Sequence, residues 1–346
     1  MEGCVPLKAP LIIRELKRKG YEVTCILTNS AQQFVTKFAV ENVSENRCYT
    51  DKDFWSEQNL HIKLIQQADM MMVAPLSANS LAKSVLGLAD NLLSNCVLAF
   101  QGPVCLVPAM HTEMLMCESV QKNLELCRDR DMFVVGPGVG ELLSDDAGAG
   151  RMVSPECSIQ LCEGIDFPVL DLRGKSVLIS VGGTREAIDP VRVIANRSSG
   201  KLGAAMAQLA TVYGAEVHVV STVDIENTGF KSYERVETSQ EMSVALHEKA
   251  SEVDTLIMAA AVADFVPQVQ TKKIRRQADS VTLELSKSQD ILASLTKEHS
   301  FDCVVGFCLQ DSLTDTAIPI SKCKDKGCDV MVANTAANFG NDTRTM

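Results

Sequence analysis

The sequence predicts an α/β protein of two doubly wound domains, each built on a parallel sheet that helices cover on both faces. Short apolar runs alternate with helical patterns of ten or more residues along the chain, as expected for buried parallel strands. Residues 153–174 interrupt this alternation with a helical piece, a proline and mixed polarity before a new strand begins. We therefore place one domain at 1–165 and the second at 170–346.

Nine strands are predicted, four in the first domain and five in the second. They cover residues 21–28, 69–75, 103–109, 132–137, 175–183, 215–221, 254–261, 302–307 and 329–334. Both ends of the chain look truncated. Gly3 leads almost directly into the first helix, without the opening strand and Gly-rich turn of a doubly wound domain. The chain also stops soon after the last strand, so a closing element is expected to be missing.

Composition excludes several classes of function. The chain has 33 Lys and Arg residues against 44 Asp and Glu, a formal charge of −11. Because nucleic acid is bound by clustered cations, this charge argues against a nucleic-acid-binding protein. No apolar run approaches the roughly 20 residues of a membrane span, and the first residues lack the apolar core of a signal peptide. Thirteen cysteines without a C-x-x-C pair indicate reduced thiols in a cytoplasmic protein.

In the second domain, one connection carries an unusual number of polar side chains. It reads GGTREAIDPVRVIANRSSGKLG (182–203), and it ends at a helix N-terminus, where backbone amides favour an anion. An ordinary strand–turn–helix connection explains the two glycines alone. It does not explain the full polar set, which is Thr184, Arg185, Asp189, Arg192, Asn196 and Ser198.

Two further segments of this domain are candidates for ligand binding. AAAVADF (259–265) ends an apolar strand at small residues followed by Asp264, and ligands in open α/β sheets bind outside the strand carboxyl ends. Asp264 is interpreted as a ligand of a metal ion or hydroxyl, with a helix cap as the alternative. TKKIRRQ (271–277) places four positive charges in an acidic chain. It is either a solvated face or a clamp for a triphosphate.

The first domain offers two of the five histidines, His61 and His111. Each is either a capping or core histidine or a catalytic group. Ser77, Asn79 and Ser80 begin a helix directly after a strand, an arrangement suited to an anion or to a planar cofactor. The Gly-rich stretch 136–152 is long enough to act as a flexible lid.

These motifs, in this order, resemble the fused phosphopantothenoylcysteine decarboxylase/phosphopantothenate–cysteine ligases over essentially the whole chain. The ligase resemblance rests on 182–203, AAAVADF, KKIRR, SKSQDIL, VVGF and DVMVAN. The decarboxylase resemblance rests on LTNSAQQFV, HIKL, APLSANSLAKSVLGLADNLLS, PAMHTEM and GELLSDDAGAGRM. The resemblance of the whole chain implies a flavodoxin-like domain with FMN bound between subunits, followed by a Rossmann-like ligase domain, in a homo-oligomer.

For the second domain, the resemblance implies a two-step ligation. The carboxylate of 4′-phosphopantothenate attacks the α-phosphate of CTP, and the amine of cysteine then displaces CMP, with Mg²⁺ shielding phosphate charge. Asn196 and Arg192 match the family's catalytic residues. The residues that match its CTP site are Ala260, Asp264, Lys273, Phe307, Lys326 and Asn334, with Asp264 also the expected metal ligand. Gln310 departs from the family, which has an acid there, so nucleotide preference is open.

For the first domain, the resemblance implies FMN-dependent decarboxylation of phosphopantothenoylcysteine. His61 matches the essential histidine, and Thr28, Ser77 and Asn79 match the FMN site. His111 and Ser144 also fall on catalytic positions, but the family has asparagine and cysteine there. A serine hydroxyl is a far weaker acid than a thiol, whose reference pKa is about 8.5, so Ser144 is a poor proton donor.

Three functional hypotheses follow. The chain is a working bifunctional enzyme, a ligase that carries a degenerate flavin domain as scaffold, or a non-catalytic interaction protein built on both folds. The joint presence of Arg192, Asn196 and Lys273 argues against the third hypothesis, because a structural role needs none of them. The expected partners are small molecules (4′-phosphopantothenate, cysteine and CTP) and further copies of the chain.

Overall fold

The computed structural model describes residues 8–141, 147–165, 170–275, 281–310 and 316–335. The chain divides into two compact units. The first comprises Met1–Asp171 and Glu226–Gly229, and the second comprises Leu172–Ile225 and Phe230–Met346. Both contain parallel sheets and helices, so the predicted α/β class is confirmed. No described helix is long and apolar enough to cross a membrane.

The first unit contains parallel strands, nine described α-helices and a 3-10 helix at Ala31–Gln33. The helices are α1 (Ala9–Arg18), α2 (Lys37–Ser44), α3 (Asp51–Ser56), α4 (Leu60–Ile65), α5 (Ala78–Leu86), α6 (Leu92–Ala99), α7 (Thr112–Leu115), α8 (Glu118–Asp129) and α9 (Pro155–Glu163). The strands are β1 (Cys25–Leu27), β2 (Cys48–Thr50), β3 (Met71–Leu76), β4 (Val104–Pro108), β5 (Met132–Val134), β6 (Gly138–Glu141) and β7 (Ala147–Arg151). β1 pairs with β2, and β3, β4 and β5 form a parallel sheet in that order.

The four strands predicted for this unit are found as β1, β3, β4 and β5. The central strand β4 is buried at every position, which explains why its apolar run was easy to recognise. The Gly-rich stretch predicted as a flexible lid has strands at its two described ends, β6 and β7, which pair antiparallel. Gly150 in β7 contacts the segment that follows β4, because its carbonyl accepts a hydrogen bond from Met110 N (3.0 Å).

The second unit contains one large sheet and two hairpins. Its strands are β8 (Ser176–Val181), β9 (Arg185–Asp189), β10 (Arg192–Ala195), β11 (Glu216–Ser221), β12 (Ser232–Arg235), β13 (Thr255–Met258), β14 (Phe265–Pro267), β15 (Leu285–Lys287), β16 (Cys303–Gln310) and β17 (Val330–Thr335). Its helices are α10 (Lys201–Val212), α11 (Ser239–Ala250), α12 (Ile291–Glu298) and α13 (Ala317–Asp325). β9 and β10, and β14 and β15, are antiparallel pairs.

The large sheet has the strand order β12-β11-β8-β13-β16-β17, and every pair in it is parallel. Counted along the chain this is the order 3-2-1-4-5-6 of a Rossmann fold, so the Rossmann-like prediction is confirmed for this unit. The order reverses between β8 and β13, which places a ligand-binding crevice at their carboxyl ends. Buried residues such as Leu178 and Leu256 form the core, and burial of each such side chain stabilises the fold by roughly 1.5–3 kcal/mol.

The start of α10 depends on glycine. Gly200 precedes the helix with φ +73°, and an added Cβ would lie 2.5 Å from Val223 Cγ2 and 3.3 Å from Gly182 Cα. The helix N-terminus can therefore approach the end of β8 only because Gly200 has no side chain.

Substitution of Gly200 by Ala should destabilise the second unit more than the same change at Gly174. Gly174 has nearly the same φ, +74°, but an added Cβ there meets no atom within 4 Å. Both variants bear the backbone strain of about 1–2 kcal/mol, and only Gly200→Ala adds an overlap that costs a further 1–3 kcal/mol or so. Denaturant unfolding of both variants measures the difference. Equal losses would show that the close approach at Gly200 is not needed.

Candidate functional site

The floor of the candidate site is a strap, residues 259–264, which follows β13 at the carboxyl edge of the large sheet. The turn after β8 fixes its backbone: Ala261 N donates to Gly182 O (2.7 Å), and Thr184 N donates to Ala261 O (3.2 Å). The fully buried hydroxyl of Thr184 accepts a hydrogen bond from Ala263 N (3.0 Å). These bonds satisfy backbone groups that have left the sheet, so the two connections hold each other in place.

Asn196 is attached to this strap through its side chain. Its Nδ2 donates to Ala261 O (3.3 Å) and Val262 O (3.2 Å), while the side chain remains exposed. An amide nitrogen has two hydrogens, and both are used here, so the side-chain group of Asn196 that has no partner among the described residues is the acceptor Oδ1. The structure thus brings Asn196 together with the segment that contains Ala260 and Asp264.

Asp189 organises the tip of the β9–β10 hairpin. Its carboxylate, only 2% exposed, accepts hydrogen bonds from Val191 N (2.8 Å), Arg192 N (2.9 Å) and Ile274 N (3.0 Å), and from the Arg192 guanidinium. Burial acts to raise the pKa of Asp189, but the hydrogen bonds, led by that from Ile274 N, outweigh it and lower the pKa to about 2. Asp189 is therefore a carboxylate at neutral pH.

The same interaction holds the basic segment, which we define as residues 271–275. Arg192 Nη1 donates to Ile274 O (3.2 Å), so Ile274 is bound to the hairpin through both its N–H and its carbonyl. Its neighbours Lys273 and Arg275 are exposed, and their side chains have no partner among the described residues. Arg276 lies outside those residues. The backbone that carries the cations predicted as a triphosphate clamp is thus hydrogen-bonded to Arg192 through Ile274.

Asp264 is exposed and directly precedes β14, so the alternative reading as a helix cap is wrong. Its carbonyl accepts a hydrogen bond from Ser288 N (2.9 Å), and its carboxylate is the one acidic side chain in the strap. No group of three His, Cys, Asp or Glu residues in the described chain could hold a metal ion. A magnesium ion at Asp264 would therefore depend on phosphate oxygens and water for its other ligands, which is how Mg²⁺ is commonly bound.

The remaining residues predicted to bind CTP lie on the far side of the switch point. Phe307 is half-buried on β16, where it faces Val332 of β17 in register. Asn334 is buried near the end of β17, and its Oδ1 accepts a hydrogen bond from Thr335 N (2.8 Å). Lys326 follows α13 and forms an ion pair with Asp290 (3.1 Å). Binding of a phosphate by Lys326 would thus compete with an existing partner.

A separate cavity of about 410 Å³ lies in the second unit beside the N-terminus of α11. Glu186 lines it and accepts a hydrogen bond from Ser239 N (2.9 Å), which stabilises the first turn of the helix. Val266 and Pro267 of β14 form part of its apolar wall. None of the residues predicted from the sequence to bind CTP lines this cavity.

In the first unit, His61 lies in the first turn of α4. The ring packs edge-on against Phe54, with ring centroids 5.7 Å apart. Its Nδ1 is buried and has no hydrogen-bond partner in the described part of the chain. A buried ring nitrogen without a partner is unusual, so His61 has hydrogen-bonding capacity that the described protein does not use.

The residues predicted to bind FMN lie directly after strands. Thr28 follows β1, and its hydroxyl accepts a hydrogen bond from Ala31 N (3.2 Å). Ser77 follows β3 and caps α5 by accepting from Ser80 N (3.3 Å). Asn79 is exposed in the first turn of α5. Three polar side chains therefore stand at the carboxyl ends of parallel strands, the edge at which α/β sheets bind ligands.

Of the two further positions predicted to be catalytic in this unit, the structure describes His111 but not Ser144. His111 is the N-cap of α7, and its Nδ1 accepts a hydrogen bond from Glu113 N (3.4 Å). The capping role that the sequence left open is therefore found. Ser144 lies outside the described residues, between β6 and β7.

The sequence interpretation overlooked how Asp189 and Ile274 act. Asp189 was noted only as one of several polar groups, although Asp-Pro at 189–190 is a recognisable turn signal. Ile274 is an apolar residue inside a charge run, and only its backbone contributes. No residue type marks such a position, so this contact could not be read from the sequence.

Two family models match the chain. The model described as DNA/pantothenate metabolism flavoprotein C-terminal domain matches residues 172–346, and the model described as flavoprotein matches residues 4–162. The chain is similar to the coenzyme A biosynthesis bifunctional protein CoaBC of Mycobacterium tuberculosis, with 36% identity over 96% of this chain and 84% of the relative. It is equally similar to CoaBC of Vibrio vulnificus, with 36% identity over 98% of this chain and 86% of the relative.

Solved structures are similar to each part of the chain. The C-terminal domain of a CoaBC protein is 34% identical over 47% of this chain and 78% of its own, with a TM-score of 0.41. A PPC decarboxylase mutant complexed with pantothenoylaminoethenethiol is 30% identical over 46% of this chain and 92% of its own, with a TM-score of 0.43.

Proposed function

The chain belongs to the CoaBC family of bifunctional coenzyme A biosynthesis proteins, and we propose that its second unit joins 4′-phosphopantothenate to cysteine with CTP. The observation that carries this proposal is the anchoring of Arg192 and the basic segment to one carboxylate. Lys272, Lys273 and Arg275, whose side chains have no partner among the described residues, thereby stand together in a chain of net charge −11. A polyphosphate substrate is the chemistry that such a group fits best.

In the first step, a carboxylate oxygen of 4′-phosphopantothenate attacks the α-phosphorus of CTP, and pyrophosphate leaves. Lys273 and Arg275, with Lys272 beside them, would neutralise the charge on the leaving pyrophosphate. Asp264 would hold a magnesium ion, which when bound shields the phosphate oxygens. The strap, with Ala260 and Ala261, has small side chains that let the substrate approach the backbone closely.

In the second step, the amine of cysteine attacks the acyl carbon of the acyl-cytidylate, an amide bond forms, and CMP leaves. The amine must give up a proton as the bond forms. Oδ1 of Asn196 is an acceptor without a partner in the described part of the chain, so it would accept a hydrogen bond from the attacking amine and orient it. Contact between Asn196 and the acyl-phosphate, as the resemblance implies, would require Nδ2 to leave Ala261 O and Val262 O.

The ligation itself is the first test. With CTP, Mg²⁺, 4′-phosphopantothenate and cysteine, the protein should release CMP and pyrophosphate in equal amounts with the amide product. Nucleotides and product are separated and quantified by chromatography. Release of AMP from ATP, with no response to CTP, would contradict the assignment of CTP, which Gln310 leaves open.

Replacement of Lys273 by Gln should raise the KM for CTP. Loss of one charged hydrogen bond to phosphate costs roughly 1.5–3 kcal/mol, which corresponds to an increase of roughly tenfold to hundredfold. Lys175→Gln is the matched control, because Lys175 is also exposed but precedes β8 at the opposite, amino edge of the sheet. If both variants keep the parent KM, the basic segment is a solvated face.

For the first unit, we propose FMN-dependent decarboxylation of phosphopantothenoylcysteine. The residues present fit a bound flavin. The N-terminus of α5 offers backbone amides for a phosphate, Thr28 and Ser77 supply hydroxyls, and His61 has a buried nitrogen that no described residue contacts by a hydrogen bond. Bound FMN would supply the electron acceptor for the cysteine moiety. His61 would orient the substrate or take its proton at Nδ1 or Nε2.

The flavin assignment predicts a yellow protein. Purified protein should show flavin absorbance with about one FMN per chain, and Ser144→Cys should increase 4′-phosphopantetheine formation without changing FMN content, since a thiol is the stronger acid. Absorbance spectra and product analysis measure the two effects independently. A colourless protein that ligates normally would favour the alternative, a flavin-domain scaffold joined to a ligase.

A further inference from the structure

The carboxylate of Asp189 is fully used by the protein. Oδ1 accepts from Val191 N and Arg192 N, and Oδ2 accepts from Ile274 N and the Arg192 guanidinium. A carboxylate has about four lone-pair sites, so four donors leave none for a substrate or a metal ion. Asp189 therefore cannot contact a ligand in this arrangement, and any part it plays must act through its partners.

The first partner, Arg192, is held on one side only. Its Nη1 donates to Asp189 and to Ile274 O, whereas Nε and Nη2 have no partner among the described residues. The guanidinium is planar and rigid, so fixing Nη1 also fixes the direction of the three remaining N–H donors. Asp189 thus leaves Arg192 partly exposed with three oriented donors.

The second partner is the backbone of the basic segment. Ile274 is joined to the hairpin at N–H and at C=O, across 85 and 82 residues of sequence. Lys273 and Arg275 are its direct neighbours, so the anchor limits how far their side chains can move from Arg192. Gln270, the residue before the segment, is held to β9 by the hydrogen bond from its N–H to Ile188 O (2.8 Å), so the bonds to Ile274 fix the other end of the segment.

We infer that Asp189 is a positioning residue that assembles Arg192 and the basic segment into one polyphosphate-binding unit. This inference rests on the proposed ligase function for the identity of the polyphosphate, CTP. Its structural part, the anchoring of the segment through Ile274, stands on the hydrogen bonds alone.

Asp189→Asn tests the assembly with little change in size. Asparagine keeps one oxygen for the amides of the turn, but it places an NH₂ group against the Ile274 N–H and the Arg192 guanidinium, where donors would face donors. We expect the KM for CTP to rise roughly tenfold to hundredfold, as for loss of a charged hydrogen bond. The KM for cysteine should change less than about twofold, because cysteine carries no phosphate. A role in overall stability alone would not raise one KM selectively.

Trypsin gives a readout that does not depend on activity. Lys272, Lys273 and Arg275 are trypsin sites within the basic segment, and release of Ile274 should speed cleavage there at least severalfold in Asp189→Asn. Cleavage is followed by mass spectrometry of the native, full-length protein. CTP with Mg²⁺ should protect the parent protein at these sites and protect the variant poorly.

Asp254→Asn is the matched control. Asp254 also accepts from a backbone amide and a side chain, Ser176 N (3.0 Å) and Ser176 Oγ (2.8 Å), but it directly precedes β13, on the amino edge of the sheet. We expect a lower melting temperature with the parent KM for CTP and the parent rate of cleavage at 272–275. If Asp189→Asn fails to fold, Ile274→Pro replaces it, since proline removes the N–H that donates to Asp189. Trypsin does not cleave before proline, so cleavage of this variant is compared after Lys272 and Arg275 only.

The outcomes separate the two proposals. If the parent protein does not use CTP, the ligase assignment fails, and the trypsin comparison still decides whether Asp189 anchors the segment. If the parent uses CTP but Asp189→Asn or Ile274→Pro leaves both the KM and the cleavage rate unchanged, the positioning role is wrong. A rise in KM that Asp254→Asn reproduces would equally overturn it, because the effect would then be general destabilisation.

Discussion

Backbone groups that leave a parallel sheet at its carboxyl edge must find new hydrogen-bond partners, and this constraint shapes the second unit's site. The strap after β13 solves it by pairing with the turn after β8, through Ala261 and the buried hydroxyl of Thr184. Ala261 O, which already accepts from Thr184 N, and Val262 O then accept hydrogen bonds from the amide of Asn196. The position of Asn196 therefore follows from the need to satisfy the backbone at the switch point between β8 and β13.

Much of the fold could be predicted from the sequence because buried parallel strands form recognisable apolar runs. β8, β11 and β4 are buried at nearly every position, and each was predicted from such a run. β15 is exposed at all three positions, and β10 at three of four. Neither alternates, because both belong to two-stranded hairpins with little core to face. The sequence of these two strands therefore shows no alternation of apolar and polar residues from which they could be predicted.

The positions of the candidate residues were easier to predict than the contacts between them. Arg192, Asn196 and Asp264 lie next to strand ends, which a local motif and a general rule for α/β sheets suffice to predict, while their roles stay predictions. The bond from Ile274 N to Asp189 spans 85 residues and uses only backbone on one side. This hydrogen bond forms because the chain folds Ile274 next to Asp189, and no local pattern of residue types indicates that the two positions are close. His61 presents the opposite case: its type suggested chemistry, but only the structure shows that a buried nitrogen lacks a described partner.

In the proposed polyphosphate site, the pairing of Asp189 with Arg192 would give two kinds of cation different roles. A carboxylate beside the guanidinium cancels most of its net charge at a distance, so Arg192 would bind a phosphate chiefly through its directed N–H donors. Lys272, Lys273 and Arg275 have no such partner in the described chain, and they would supply the net positive charge.

Exposed charges are screened over about 8 Å at physiological ionic strength, whereas short, directed hydrogen bonds are weakened less. In a chain of charge −11, long-range attraction of a polyphosphate is weak, so the proposed site would depend on contacts that act after encounter. An arginine oriented by a saturated carboxylate would provide such a contact, because its donors are already aimed before the anion arrives.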